Sequence, residues 1–163
     1  MLSAACSDAP SSSNVLSPGP SSGPAQVALT ASGGCGDAYL WAETSEGDTA
    51  VTVEVNARKR SNDKKTTIVF SVPDPAVKVR VLRGTNLSRN FCTDLPSTES
   101  DPDTNQPAVS GSGKVVLDPA TPNLQGACGK TIGSAQIEGL VADDGTVFAP
   151  ISIETNDIGC YSG

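Results

Sequence analysis

The most constraining feature of this sequence is a period of two in its apolar residues, which begins soon after Gln26. Val51, Val53 and Val55 alternate with polar residues, and similar β-branched runs recur to the end of the chain. Gly, Pro, Asn and Asp separate the runs, and no amphipathic helix is evident. Alternation of this kind indicates strands with one buried and one solvated face. The sequence therefore predicts an all-β fold, an antiparallel β-sandwich of immunoglobulin-like type with about seven or eight strands.

Two β-hairpins are predicted from the turn residues between neighbouring runs. The first joins Tyr39–Thr44 to Ala50–Asn56, and the second joins Ala135–Ala142 to Thr146–Ile153. Asp144 and Gly145 favour a tight turn in the second, because Gly tolerates positive φ. Directly opposed residues of that hairpin then have numbers that add up to about 289. Pro150 has no N–H to donate, which predicts an edge strand or a bulge there.

The composition indicates which residue types form the core and which classes of binding partner can be excluded. About 140 residues follow Pro24, enough for one domain with its own hydrophobic core. Aromatic residues make up only 4% of the chain, so the core must consist mainly of Val, Ile, Leu and Ala. The formal net charge of −7 argues against nucleic acid, since phosphate binding needs a basic face. No apolar run approaches the roughly 20 residues of a membrane-spanning helix.

The first 24 residues differ from the rest of the chain. Leu2-Ser3-Ala4-Ala5-Cys6 is followed by a stretch rich in Ser, Pro and Gly that ends at Pro24. The five residues resemble the cleavage end of a bacterial lipoprotein signal, although Ser3 stands where an aliphatic residue is usual. A full signal needs a longer apolar run, so we expect that the start was assigned too late or that the chain was trimmed. Residues 7–24 are too poor in apolar side chains to fold and are expected to form a disordered tether.

This resemblance implies a lipid on Cys6 and an anchored location outside the cytoplasm, at the cell membrane. Residues 1–24 are then the anchor and tether, and residues 25–163 the β-sandwich domain. The chain as a whole looks like the small secreted lipoproteins of high-GC Gram-positive bacteria. The likeness rests on the box around Cys6, the tether, and Cys35-Gly36-Asp37 ahead of a β domain. That group implies a location and a membrane anchor rather than an activity.

The remaining four cysteines form an even set in a domain expected to be secreted, which predicts two disulfides. A zinc site would need closer spacing. Cys128 and Cys160 have numbers that add up to 288, so they lie on facing sides just past the open end of the second hairpin. We therefore predict a Cys128–Cys160 bridge and, by elimination, a bridge between Cys35 and Cys92.

Side chains for the common catalytic sites are missing from the sequence. Without His there is no Ser-His-Asp triad, Cys-His dyad or His metal ligand, and we predict no catalytic residue, cofactor or metal.

The predicted function is a non-catalytic binding module of the cell envelope, as a monomer. One alternative is a glycoside-processing enzyme with two carboxylates roughly 5–9 Å apart. The other is a protease inhibitor that presents the segment Thr93–Gly113.

Three surface features are candidates for binding an envelope protein or an anionic polymer. The first is a basic cluster, predicted on a hairpin-like connection, that either forms a solvated turn or binds anionic lipid headgroups or wall polymers: Arg58, Lys59, Arg60, Lys64 and Lys65. The second is Thr93–Gly113, predicted to be an exposed loop that is disordered or functional. The third is the pair Tyr39 and Trp41 on one face of a strand. We expect Trp41 to be a core residue against a disulfide rather than a ligand platform.

Overall fold

Nine β-strands make up most of the chain that the structure describes. The computed structural model describes residues 24–36, 38–56, 64–93, 98, 101–119 and 131–158. In chain order the strands are β1 Ala31–Cys35, β2 Tyr39–Glu43, β3 Thr49–Val55, β4 Thr66–Ser71, β5 Val77–Thr85, β6 Asp101–Pro107, β7 Ser110–Pro119, β8 Thr131–Val141 and β9 Ile151–Ile158. A 3₁₀ helix, Leu87–Asn90, follows β5.

The strands form two antiparallel sheets, which confirms the predicted all-β sandwich. The five-stranded sheet has the order β1-β2-β3-β5-β6, and the four-stranded sheet has the order β4-β7-β8-β9. The edge strands β1 and β9 lie against each other on one side of the sandwich. In an immunoglobulin constant domain the chain returns from the second sheet to an edge strand. Here it returns to β5 beside β3, so the likeness lies in two packed antiparallel sheets rather than in strand order.

A single aliphatic core fills the space between the sheets. Six valines of β3 and β5 alternate inward and are at most 4% exposed: Val51, Val53, Val55, Val77, Val79 and Val81. The four-stranded sheet covers them with Leu, Ile, Val and Ala side chains. Phe70 and Phe148 are the aromatic members of this core among the described residues. The composition-based prediction of a Val, Ile, Leu and Ala core is confirmed.

Both predicted hairpins are present. In the first, Glu43 pairs with Ala50, and Gly47 takes a positive φ of 69° in the turn. In the second, Gln136 pairs with Ser152, numbers that add up to 288 and so fall within one residue of the predicted register. The prediction of a Cys128–Cys160 bridge was based on this register. Both cysteines lie outside the described residues, so the bridge itself stays a prediction.

The second hairpin is interrupted before β9. Val141 bridges Val147, and then Val27 from the start of the domain pairs in parallel with Phe148. The Val27 N–H donates to Val147 O at 2.9 Å, and the Ala149 N–H donates to Val27 O at 2.9 Å. Pro150 follows this bridge and leads into β9, an edge strand of its sheet. Of the two predicted alternatives at Pro150, an edge strand or a bulge, the structure has an edge strand that begins at the next residue.

Two sequence-based predictions about loops are wrong. Thr93–Gly113 is not one exposed loop, because β6 and the beginning of β7 lie within it. Most β6 side chains are exposed, and an edge strand of this kind needs no apolar alternation and tolerates its two prolines. The strands that flank the basic cluster, β3 and β4, do not form a hairpin with each other, because they belong to different sheets. The strand count exceeds the prediction because β1 and β6 carry no hydrophobic pattern.

Arg83 ties the five-stranded sheet to the second hairpin of the other sheet. Its guanidinium donates to Asp144 Oδ2 from Nη2 at 2.8 Å and from Nε at 3.2 Å. It also donates to Thr146 Oγ1 at 2.8 Å and to Thr49 Oγ1 at 3.0 Å. Hydrogen bonds from Thr146, and then the Arg83 cation, lower the pKa of Asp144 to about 2. Through Asp144, the turn Asp143-Asp144-Gly145 therefore also links the two sheets by hydrogen bonds and an ion pair.

The substitution Asp144→Asn tests this tie through its pH dependence. The folded pKa of about 2 lies below the usual 3.8, so the ionised carboxylate stabilises the folded state above about pH 4. That contribution disappears as the pH falls through the folded pKa. We expect the variant to be less stable than the parent at pH 7, and the difference in stability to be much smaller at about pH 2, where the folded carboxyl is about half protonated.

Thermal unfolding at pH 7, 4 and 2 measures this difference. Asp143→Asn is the matched control, because Asp143 is exposed in the same turn and makes none of the contacts to Arg83. An Asp144→Asn difference of unchanged size at pH 2 would contradict an electrostatic tie.

Candidate binding surface

A disulfide between Cys35 and Cys92 fixes one side of the five-stranded sheet. The Cα atoms are 5.6 Å apart, and the bridge joins the end of β1 to the segment that follows the 3₁₀ helix. This confirms the Cys35–Cys92 pairing that elimination predicted. The bridge spans 57 positions of sequence, which corresponds to about 4 kcal/mol in the chain-entropy account of disulfide stabilisation.

The segment pinned by this disulfide packs on the outer face of the sheet. Leu87, at the start of the 3₁₀ helix, is 1% exposed and forms a small cluster with Ala50 and Leu82. Glu43, itself buried, accepts the Ser88 N–H through Oε2 at 3.1 Å. The sheet therefore has a second, smaller hydrophobic cluster on the side away from the main core.

Three aromatic rings meet beside this cluster. The Phe91 ring lies 5.4 Å from Trp41 and 6.0 Å from Tyr39, centroid to centroid, in tilted and edge-on arrangements. The Trp41 indole lies so close over Gly33 that a Cβ there would come within 2.8 Å of it. The expectation that Trp41 belongs to the main core is wrong. Leu40 points inward, so its neighbours on β2 point outward.

Tyr39 is the most perturbed titratable group of this surface. Burial raises the pKa of Tyr39 to about 12; a hydrogen bond with Thr52 lowers it, and the nearby charge of Glu54 raises it by a smaller amount. The phenol is therefore neutral throughout the physiological range and serves as a hydrogen-bonding, half-buried ring. It is not available as a general base.

Polar side chains extend the aromatic group across the outer face. Thr52 pairs with Trp41 on one side and with Arg80 on the other, and it is only 4% exposed. The Arg80 guanidinium reaches across to β6 and donates to Asn105 Oδ1 at 2.5 Å and to Asn105 O at 2.9 Å. We call this surface the outer shelf and define it by its partly exposed or exposed members: Tyr39, Trp41, Arg80, Phe91 and Asn105.

A shallow pocket of about 140 Å³ lies near the beginning of β5. Its lining includes one carboxylate, Asp74, whose Oδ1 accepts the N–H groups of Ala76 and Val77 at 2.7 and 3.2 Å. The aliphatic and cationic side chains of the lining come from the residues after β4, from the first half of β5 and from the end of β6 with the residue that follows it: Val72, Pro73, Val77, Lys78, Val79, Arg80, Pro107 and Ala108.

Several residues singled out in the sequence lie outside the described part of the chain. They are Cys6, Arg58, Lys59, Arg60, Cys128 and Cys160. Of the basic cluster, Lys64 and Lys65 are described and exposed, and the Lys65 ammonium lies 2.9 Å from Asp118 Oδ2. The structure therefore brings this part of the cluster next to an acidic residue of β7.

Sequence reasoning missed the shelf residues Phe91, Arg80 and Asn105. Phe91 could have been predicted only from its position directly before Cys92. A disulfide to Cys35 at the end of β1 places the residue next to Cys92 close to the sheet. Arg80 and Asn105 carry no such signal, because their contact depends on β6 pairing with β5. That pairing was not predicted.

The described residues contain neither a metal-binding cluster nor a membrane-spanning helix. No group of three or more His, Cys, Asp or Glu side chains lies close enough there to hold a metal ion. None of the helices in the same residues has the length and apolar character needed to cross a membrane. Comparison with known proteins found no family model, no curated protein and no solved structure that matches this chain.

Replacing Cys35 and Cys92 together with Ala tests whether the disulfide holds the shelf in place. We expect the free energy of unfolding to fall by about 4 kcal/mol, as for a loop of this length. Trp41 is the single Trp of the chain, so its emission reports on the shelf alone. We expect the emission of the folded variant to move to longer wavelength, because Phe91 no longer shields the indole.

The double variant Cys128→Ala with Cys160→Ala is the matched control, and it should leave the Trp41 emission of the folded protein unchanged. Non-reducing peptide mapping of the parent protein checks the predicted Cys128–Cys160 bridge in the same preparation. An unaltered Trp41 spectrum in the Cys35, Cys92 variant would show that the shelf forms without the disulfide.

Proposed function

We propose that this chain is a non-catalytic binding module of the cell envelope, held at the outer side of the membrane by a lipid on Cys6. The observation that carries the proposal is the outer shelf, a partly exposed aromatic and cationic surface fixed to a rigid sheet by a disulfide. The surface binds a folded protein of the envelope.

The Cys35–Cys92 disulfide supports an extracytoplasmic location. Disulfides persist in oxidising compartments and are rare where thiols are kept reduced. A structural bridge that closes a long loop is typical of a secreted domain. This fits the sequence resemblance to lipoprotein signals around Cys6, which implies the anchor.

The composition of the outer shelf supports a protein partner. Trp, Tyr and Arg are the residues most enriched among the energetically dominant positions of protein–protein interfaces. Here Tyr39 and Trp41 of β2 and Arg80 of β5 lie on one face of the sheet, with Thr52 of β3 between Trp41 and Arg80. The contacts of Phe91 with both rings, and of Asn105 with Arg80, order these side chains before binding. Ordered side chains lose less conformational entropy on association.

The two-carboxylate enzyme gains no support from the described pocket. Its single carboxylate, Asp74, is engaged by two backbone N–H groups and has no second acid among the lining residues. The inhibitor alternative depended on an exposed loop at Thr93–Gly113, and much of that segment is strand.

A charge reversal tests the shelf directly. Photo-cross-linking on intact cells, from a probe placed at Asn105, followed by mass spectrometry, should identify one dominant protein partner. We expect Arg80→Glu to reduce that product several-fold, because it removes a cation at the centre of the contact. Lys114→Glu is the control: it makes the same charge change at an exposed site on the four-stranded sheet. Equal products from the two variants would place the partner elsewhere.

The anchor is tested separately with the full-length gene. Cys6→Ala removes the only thiol of the lipobox-like segment, so the protein should move from the membrane fraction to the soluble fraction. Stable anchoring needs more than one acyl chain, as bacterial lipoproteins carry. Cys6→Ser, which also removes the thiol, should behave identically. Membrane retention of both variants would contradict lipidation at Cys6.

The basic cluster is a second, weaker binding proposal, directed at anionic headgroups or wall polymers. Exposed Lys64 and Lys65 belong to it, and each cation adds on the order of 1 kcal/mol near an anionic surface at low salt. Neutralising Lys59, Arg60, Lys64 and Lys65 together should weaken sedimentation of the Cys6→Ala protein with vesicles rich in anionic lipid. Binding that does not fall with rising salt would contradict this electrostatic account.

A further inference from the structure

The edge strand β4 is the one sheet edge in the described part of the chain that carries no protective feature. Its residues Thr66–Ser71 contain neither a charge nor a proline. By contrast, β6 at an edge of the other sheet carries two prolines and two aspartates in its sequence, and β1 and β9 cover each other. Unprotected edges pair with other strands, and natural proteins usually blunt them with Lys, Pro or bulges.

The hydrogen-bonding groups on the open side of β4 can be assigned from the ladder. The Val72 N–H donates to Gly111 O of β7 at 2.8 Å. Antiparallel pairs alternate between hydrogen-bonded and non-hydrogen-bonded. Alternate residues back along β4 therefore also face β7, and Thr67, Val69 and Ser71 direct their N–H and C=O groups to the open side. No described strand pairs with β4 there.

The side chains on this edge are apolar or small where a partner would contact them. Val69 is 78% exposed, the highest value among the large apolar side chains of the described residues. Thr67 and Ser71 flank it on the same face of the strand, because successive side chains alternate. A valine between two hydroxyl residues gives a pattern that reads the same in both directions.

We propose that β4 pairs antiparallel with β4 of a second copy of this chain, with the two-fold axis at Val69. In that register Val69 meets Val69 of the second copy, and Thr67 meets Ser71. Each of the three pairs exchanges two backbone hydrogen bonds, so about six form across the axis. The two four-stranded sheets become one continuous sheet of eight strands.

Charge complementarity at the ends of the strand supports a second copy as the occupant. Lys64 lies two residues before the start of β4, and Asp74 lies three residues past its end, after the bend at Val72 and Pro73. Antiparallel pairing therefore puts Lys64 of one copy near the end of β4 that leads to Asp74 in the other. Lys64 is exposed and forms no ion pair within the described residues. The Asp74 carboxylate is held in place through Oδ1, which leaves its other oxygen for the ammonium group. The two-fold axis makes this pair twice.

This inference replaces the monomer expected from the sequence and is independent of the outer shelf, which lies on the other sheet. Sedimentation of the full chain with Cys6→Ala, from about 1 μM to 1 mM, should show a reversible monomer–dimer equilibrium in this range. Val69→Lys should weaken the dimer roughly tenfold or more, because it places two like charges opposite each other at the axis. Val109→Lys, at a site 52% exposed outside the strands, is the matched control and should leave the equilibrium unchanged.

Cysteine cross-linking tests the register without depending on affinity. Val69→Cys should form a disulfide-linked dimer, because opposed residues of a hydrogen-bonded pair have Cα atoms about 5.5 Å apart. Thr67→Cys alone should not, whereas a mixture of Thr67→Cys and Ser71→Cys chains should cross-link to each other. A protein that stays monomeric to about 1 mM, or a dimer that survives Val69→Lys, overturns the proposal. Cross-linking through Thr67→Cys alone overturns the register.

Discussion

The bond between Cys35 and Cys92 is the constraint on which the outer face of the five-stranded sheet depends. It joins an edge strand to the residues that directly follow a short 3₁₀ helix packed on the sheet. Once Cys92 is fixed, Phe91 must lie over Tyr39 and Trp41, and Leu87 over Ala50 and Leu82. We expect this one covalent link to help fix the position of a hydrophobic cluster on the side of the sheet that would ordinarily face water.

The two outer faces of the sandwich consequently have different chemistry. The five-stranded sheet presents aromatic rings beside an arginine that is already engaged by Asn105. The four-stranded sheet presents mainly short hydroxyl and charged side chains around exposed Val69. A face with ordered aromatic residues suits recognition by side chains, whereas a plain edge with open backbone groups suits pairing by main-chain hydrogen bonds. The proposed partner and the proposed second copy therefore use separate parts of the surface.

Much of the fold could be predicted because burial leaves a period of two in the sequence. The valines of β3 and β5 have that period, and the Asp-Gly turn set the second hairpin to within one residue. β1 and β6 could not be predicted in this way. Gly33 and Gly34 have no side chain to alternate, and β6 is exposed on its outer side, so neither strand leaves a hydrophobic signal. Of the binding surface, only Tyr39, Trp41 and the disulfide were visible, because the contact between Arg80 and Asn105 exists only after β5 and β6 pair.

The distribution of the aromatic residues bears on the proposal that the shelf binds a partner. The chain has six aromatic side chains, and three of them, Tyr39, Trp41 and Phe91, lie together on the outer face. The main core contains Phe70 and Phe148 and otherwise relies on aliphatic residues. Large rings contribute most to stability when they are fully buried, and a core of this composition would gain from them. Their position at the surface, next to a disulfide and only partly covered, therefore supports the proposal that contact with a partner completes their burial.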